Sequence, residues 1–169
     1  MSAINRRISI LKQLKESDKA IKGVLLASQY NVTRQIIVKD IAILRAEGNL
    51  IIATPDGYIL NKQNEGIRKI IAVSHNEDRL VEELDIIIKY GGTIEDVIVE
   101  HPIYGEIKGL LMISSLHDLN NFISKYKANE AKLLSLLTNG VHIHTIITDN
   151  EESMNLILKE LKEKGFIIE

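Results

Sequence analysis

The hydrophobic pattern of this chain changes period around residues 63–66, and that change most limits the folds open to it. Before it, apolar residues recur at helical spacing. Ile4, Ile8, Leu11 and Leu14 give one face of a helix over 5–16, a second helix is expected over 22–29, and a third over 34–47. Thr33 stands as N-cap of the third and Gly48 as its stop. LIIAT, the turn PDG and YILN follow as a two-stranded hairpin. Three helices and a hairpin in residues 1–62 predict a winged helix-turn-helix. QNEG (63–66) is polar, ends in Gly and reads as a linker. From 67 to 169 β-branched runs alternate with amphipathic ones. IRKIIAVSH, IEDVIVEH, EIKGLLMIS, VHIHTIIT and FIIE are expected strands. The expected helices begin at NEDRL (capped by Asn76), SLHDL and EESMN. The overall expectation is α+β, with helices packed on one sheet in the second domain.

Charge divides at the same place. Residues 1–65 hold ten Lys/Arg against six Asp/Glu, and residues 66–169 hold eleven against seventeen. A basic first part beside an acidic remainder fits a polyanion-binding module joined to one of another kind. With no cysteine in the chain, disulfides and thiolate metal sites are excluded, and any metal must be held by imidazole and carboxylate. That composition suits a cytoplasmic protein. No apolar run approaches the ~18 residues of a membrane span, so no membrane role is expected.

In the third helix Ile37, Ile41 and Leu44, with Val38 beside them, form the expected buried stripe. Arg34, Gln35 and Lys39 lie off it near the N-terminal end, where a recognition helix meets base edges. Arg suits guanine, Gln suits adenine, and the Thr33 hydroxyl with the helix N-terminal amides suits a phosphate. Arg6, Arg7 and Lys62 are expected phosphate contacts. Asn31 falls where the turn needs a left-handed residue. Val24, Leu25 and Leu26 make the second helix more apolar than one buried face requires. Either a dimer or interdomain contact covers the excess, or the turn packs deep.

Two of five histidines, His142 and His144, share one face of a predicted strand. Their Cα atoms should lie roughly 6.5–7 Å apart at ~3.3 Å rise per residue, so both imidazoles can meet one ion at about 2.0–2.1 Å. His75, at the end of the first strand of this domain, is a third candidate. On the following helix Leu80, Val81, Leu84, Ile87 and Ile88 are the expected buried face. Glu83 lies at its edge and Glu82 points away. His75, Glu83, His142 and His144 would make an N₃O site suited to zinc, nickel, iron or copper. His101 in the turn HPIYG is either a backbone-capping turn residue or part of an effector pocket, with Tyr104 as a stacking surface and Arg79 nearby in sequence to His75. His117 is expected at the surface.

VTRQIIVKDIAILRAEGNLIIATPDGYIL resembles the biotin-repressor-like winged helix of NiaR-type niacin-responsive repressors. SHNEDRLVEEL, VEHPIYGEIKGLL and LTNGVHIHTI resemble, in order, the signature segments of the three-histidine (3H) domain of that family. The family usually has Gly where this chain has Asn31, and a Ser/Thr-type cap near Lys22. The resemblance implies a repressor of NAD biosynthesis or niacin-transport genes, binding operator DNA as a homodimer with nicotinic acid as corepressor. It also implies a divalent metal, nickel or zinc before iron, on His75, Glu83, His142 and His144. Two other readings stand beside it: a regulator that senses the metal itself, and a metal-dependent enzyme fused to a DNA-binding domain. Against the enzyme, no Ser/His/Asp set, phosphate-cradling Gly loop or second carboxylate near the histidines stands out.

Overall fold

A computed structural model describes residues 2–61, 66–129 and 132–169. Lys62 and linker residues 63–65 lie outside the described residues. The chain divides into two compact units, Met1–Asn64 and Glu65–Glu169.

The first unit packs α1 (Ala3–Glu16), α2 (Gly23–Gln29) and α3 (Arg34–Ala46) around Ile10, Leu14, Leu26, Ile37, Ile41, Leu44 and Ile51. Ser2 caps α1 by accepting from Asn5 N–H, and Thr33 caps α3 by accepting from Ile36 N–H. Asn31 adopts φ 52° in the turn between α2 and α3, the left-handed geometry expected of it. The wing is an antiparallel pair, β1 (Ile51–Thr54) with β2 (Gly57–Leu60). Ile21 adds a third short segment through two backbone hydrogen bonds with Tyr58.

Two expected faces are corrected. The buried side of α1 is Arg6, Ile10 and Leu14, while Ile4 and Ile8 are 63% and 62% exposed. In α3 Asp40 joins the buried stripe and Val38 is exposed. Arg6 and Asp40 face each other across the two helices, Nε to Oδ2 at 2.6 Å. In α2 only Leu26 and Ala27 are buried; Val24 and Leu25 stand on the surface of this chain, so the turn is not packed deep.

The second unit is a four-stranded antiparallel sheet ordered β3-β6-β4-β5: β3 (Ile67–Ser74), β4 (Thr93–His101), β5 (Gly105–Ile113) and β6 (Val141–Thr148). Alternation along β3 buries Ile71 and Val73 and exposes Ile70 and Ala72. On the buried side lie α4 (Leu80–Lys89), α5 (Leu116–Ala128) and α6 (Glu151–Glu163). They bring Leu84, Ile87, Leu119, Met154, Ile157 and Leu161 onto Val73, Ile94, Ile113 and Ile146. Gly66 belongs to this unit's packing, since a Cβ there would meet Ile147 Cγ2 at 2.7 Å.

Three local expectations change. A 3-10 turn, Glu77–Arg79, precedes α4, and the Asn76 side chain makes no capping bond. The buried face of α4 is Leu80, Glu83, Leu84, Ile86 and Ile87; Val81 is exposed. The last expected strand is a single bridge, Val73 with Ile167, held by Ser74 N–H to Phe166 O and Ile168 N–H to Ala72 O. An additional 3-10 helix, Leu134–Thr138, leads into β6.

Candidate metal centre and DNA-recognition surface

Strand β6 places His142 and His144 on the buried side of the sheet with ring centroids 4.8 Å apart. His75 follows the last residue of the neighbouring strand β3, and its ring centroid lies 5.0 Å from that of His142. Glu83, on the buried face of α4, enters among all three. Its Oε2 is 2.6 Å from His75 Nε2 and 3.4 Å from His142 Nε2, and its Oε1 is 3.5 Å from His144 Nε2. The four side chains are at most 2% exposed.

The other nitrogen of each ring decides what this cluster can do. His75 Nδ1 is 2.7 Å from Asn76 O, His142 Nδ1 is 2.9 Å from Gly140 O, and His144 Nδ1 is 2.5 Å from Asp96 O. A carbonyl only accepts, so each Nδ1 carries the proton and donates it. The neutral ring then turns an Nε2 lone pair toward Glu83, the arrangement that orients a histidine as a metal ligand. Glu83 Oε1 and His144 Nε2 are buried without a hydrogen-bond partner. Lone pairs and a carboxylate facing one another in a dry interior call for positive charge between them. Protons supply some of it. Burial favours neutral His75 and His144, yet the Glu83 carboxylate together with the Asn76 and Asp96 carbonyls raises both above the ordinary imidazole value. Burial alone would raise Glu83, but the adjacent His142, His144 and His75 rings hold it well below the usual carboxylate range. His75, Glu83 and His142 each bring one ligand atom within 4.8 Å of the others, close enough to hold a metal ion. His144 approaches the second Glu83 oxygen from outside that trio.

Backbone irregularity supports the cluster. Gly140 has φ 91°, and a Cβ there would stand 2.4 Å from His75 O, so only glycine lets the entry to β6 pass so near β3. The register of β4 against β6 shifts between Ile94 and Ile98. At that shift Asp96 Oδ1 accepts from Thr145 N–H at 2.9 Å while its carbonyl takes His144 Nδ1. Lys108 Nζ lies 2.9 Å from Asp96 Oδ2. Sequence reasoning missed Asp96; a buried acid in a strand run such as IEDVIVE was its only signal.

Beside His142 and His144 lies an apolar cavity of about 40 Å³, walled by Leu84, Val97, Leu111, Phe122 and Leu134. Ser135, which sequence reasoning also missed, is its other polar lining residue. The proposed effector residues are not in this wall. His101 caps the β4–β5 turn by accepting from Ile103 and Tyr104 N–H, and its ring lies against Tyr104, which is 76% exposed. Arg79 lies over Phe166 at 4.0 Å, pairs with Glu82 and donates to Lys164 O. His117 is a surface residue bonded to Asn121.

In the first unit Thr33, Arg34, Gln35 and Lys39 are exposed along the first half of α3. Arg6 is not: it is buried against Asp40, with Nε–Oδ2 at 2.6 Å, and Arg7 Nη1 is 3.6 Å from the same carboxylate. Of the two α1 arginines, Arg6 is therefore withdrawn from any phosphate, because its guanidinium is already spent on a buried partner.

Residues 6–59 match an HTH domain family and residues 68–169 match the 3H domain family. The chain is 44% identical to the "Probable transcription repressor NiaR" of Thermotoga maritima, over 95% of this chain and 92% of that protein. It is 38% identical to the "Transcription repressor NadR" of Bacillus subtilis, over 97% and 93%. A Methanothermus fervidus "Uncharacterized protein" is 37% identical over 56% of this chain and 16% of its own length. Among the described residues no helix is long and apolar enough to cross a membrane. An HTH unit with an exposed recognition-helix face, a 3H unit with a buried His/Glu cluster, and near full-length identity to named repressors together assign the molecule: the chain belongs to the NiaR/NadR family of DNA-binding transcription repressors, which are regulators and not enzymes.

Proposed function

We propose that this repressor acts in the cytoplasm as a homodimer on operators of NAD-biosynthesis or niacin-transport genes, with nicotinic acid as corepressor and a divalent metal in its 3H domain. The observation that carries this reading is the set of three histidines whose Nδ1–H groups are bound to backbone carbonyls and whose Nε2 atoms converge on Glu83. His75, Glu83, His142 and His144 would hold the metal. An all-N/O donor set suits nickel or zinc, with iron next. When bound, the metal supplies a fixed positive charge at the end of an apolar cavity.

Nicotinate is a flat ring with one carboxylate, and the cavity suits both parts. Leu84, Val97, Leu111 and Phe122 offer the ring an apolar wall, and Ser135 offers a hydroxyl. Among the described residues no lysine or arginine lines this cavity, so the histidine end is where an anion finds charge. The names NiaR and NadR of the relatives support the same effector. A cavity that takes a benzene-sized ring is on the order of 150 Å³, so binding moves the wall outward. The short 3-10 helix Leu134–Thr138 carries Leu134 and Ser135 and is the part of the wall with least regular structure. The effector then shifts the DNA-competent population by as much as it prefers that state, commonly ~1–3 kcal/mol. On DNA, Arg34, Gln35 and Lys39 read the major groove, Thr33 and Arg7 meet phosphates, and a dimer spans half-sites about 34–36 Å apart or a multiple.

The test is titration of operator DNA with the full chain, with and without nickel or zinc, and with and without nicotinate. Tightening by nicotinate only when metal is present supports the reading. Equal affinity with and without nicotinate removes the corepressor role, and a response to metal alone makes the protein a metal sensor.

A further inference from the structure

Asp40 occupies a place that the packing of α3 would normally give to an apolar residue. It lies between Ile37, Ile41 and Leu44 on the buried stripe, with its side chain 3% exposed. Its partner Arg6 opens the buried stripe of α1, ahead of Ile10 and Leu14. Arg6 meets the carboxylate with two nitrogens, Nε to Oδ2 at 2.6 Å and Nη2 to Oδ1 at 3.4 Å, and Arg7 Nη1 stands 3.6 Å from Oδ1.

Stability alone does not account for this choice. A well-packed apolar pair at these positions would avoid taking two charges out of water and is often as stable or more so. An apolar contact, however, is non-directional and lets one helix slide or roll on another at little cost. A planar guanidinium against a carboxylate has one favourable geometry. The same turns of α3 that carry Asp40 inward carry Arg34, Gln35 and Lys39 outward. A slip of one residue along the helix moves those side chains by about 1.5 Å, half the length of the hydrogen bonds with which they read bases.

We infer that Arg6 and Asp40 are a positioning pair for DNA recognition: they set the register of the recognition helix on α1, and so operator specificity, without touching DNA. The inference stands whether or not nicotinate is the effector, since it concerns the DNA-reading unit alone.

The experiment uses the full chain and an operator that the wild-type protein selects from a random duplex library, with zinc and nicotinate present in all arms. The variant is the double substitution Arg6→Met/Asp40→Leu, which restores an apolar contact. Thermal melting, affinity for the operator, affinity for unrelated duplex, and the salt dependence of the latter are measured. The expected result is near wild-type melting, unchanged non-specific affinity and salt slope, and operator preference reduced about tenfold or more, the loss that one misplaced base contact brings. Wild-type operator preference in the folded double variant would overturn the inference, leaving the pair a packing feature. A fall in the non-specific salt slope would overturn it too, because Arg6 would then be a phosphate contact. If the double variant melts early, Arg6→Lys serves instead: it keeps the charge and loses the fork. Reduced operator preference with intact non-specific binding supports the pair, and full preference sinks it.

Discussion

The two units bury charge in opposite ways. In the HTH unit Asp40 faces Arg6 and Arg7, so among the described residues each buried charge has a partner supplied by the fold. In the 3H unit Glu83 faces three imidazoles whose protons are committed elsewhere, and two of the polar atoms are left without partners. Neither arrangement is there to add apolar stability. In the readings proposed above, the closed pair sets geometry and the open cluster takes a cation. Buried polar groups thus announce their purpose by whether the protein itself satisfies them.

The sharpest way to break this contrast is Glu83→Gln. It keeps the shape and removes the charge, so metal affinity measured by chelator competition should fall more than about 100-fold, beyond what loss of a supporting group costs. Unchanged affinity would mean that the cluster is a hydrogen-bonded core feature. Next in size is metal removal. At a free metal concentration 100 times its Kd, a bound ion adds about 2.7 kcal/mol of stability. A chelator should therefore lower the melting of the 3H unit and leave that of the HTH unit in place. Both units responding alike would erase the distinction.

Acid sharpens it further. Because Glu83 and the backbone carbonyls of Asn76 and Asp96 raise His75 and His144, their protonation stabilises the metal-free unit below the unfolded imidazole value of about 6.5, and this is lost as pH rises through their folded values. Metal binding needs those nitrogens deprotonated. The metal-induced increase in melting temperature should grow on going from about pH 6 to about pH 8; a pH-independent increase would place the ion elsewhere. Asp96→Ala is a smaller perturbation, removing the carboxylate that holds Thr145 N–H while the backbone carbonyl still receives His144. About tenfold weaker metal binding is expected. Tyr104→Ala should have the smallest effect: with the ring at an exposed turn against His101, nicotinate response should stay at the wild-type level, and its loss would move the pocket to that turn.

Local signals in the chain were sufficient for much of this. The Thr33 cap, the left-handed Asn31, the HxH pair on one strand face and the inward lean of Glu83 all follow from short-range geometry, and the structure has each of them. Faces of helices were less legible. In α1 the sequence offers Ile4, Ile8 and Leu11 as readily as Ile10 and Leu14, and the period is the same for both. The phase of a helix depends on what it packs against, so Ile4, Ile8, Val38 and Val81 were placed inside although they are exposed. Arg6 looked like a phosphate contact for the same reason: a charged residue reads as surface until a partner 34 positions away is brought to it.

The sequence by itself determined the order of the main helices and sheet strands, the exclusion of thiolate chemistry, and the residue types from which an N/O metal site could be made. These depend on periodicity, turn residues and composition, which act over a few neighbours. Only the tertiary structure decided that His75, Glu83, His142 and His144 meet with their Nε2 and carboxylate atoms inward, that Asp96 and Gly140 hold two of those rings, and that Arg6 belongs to the core. Such outcomes depend on strand register and helix phase, fixed jointly by contacts distant in the chain, and no local pattern encodes them.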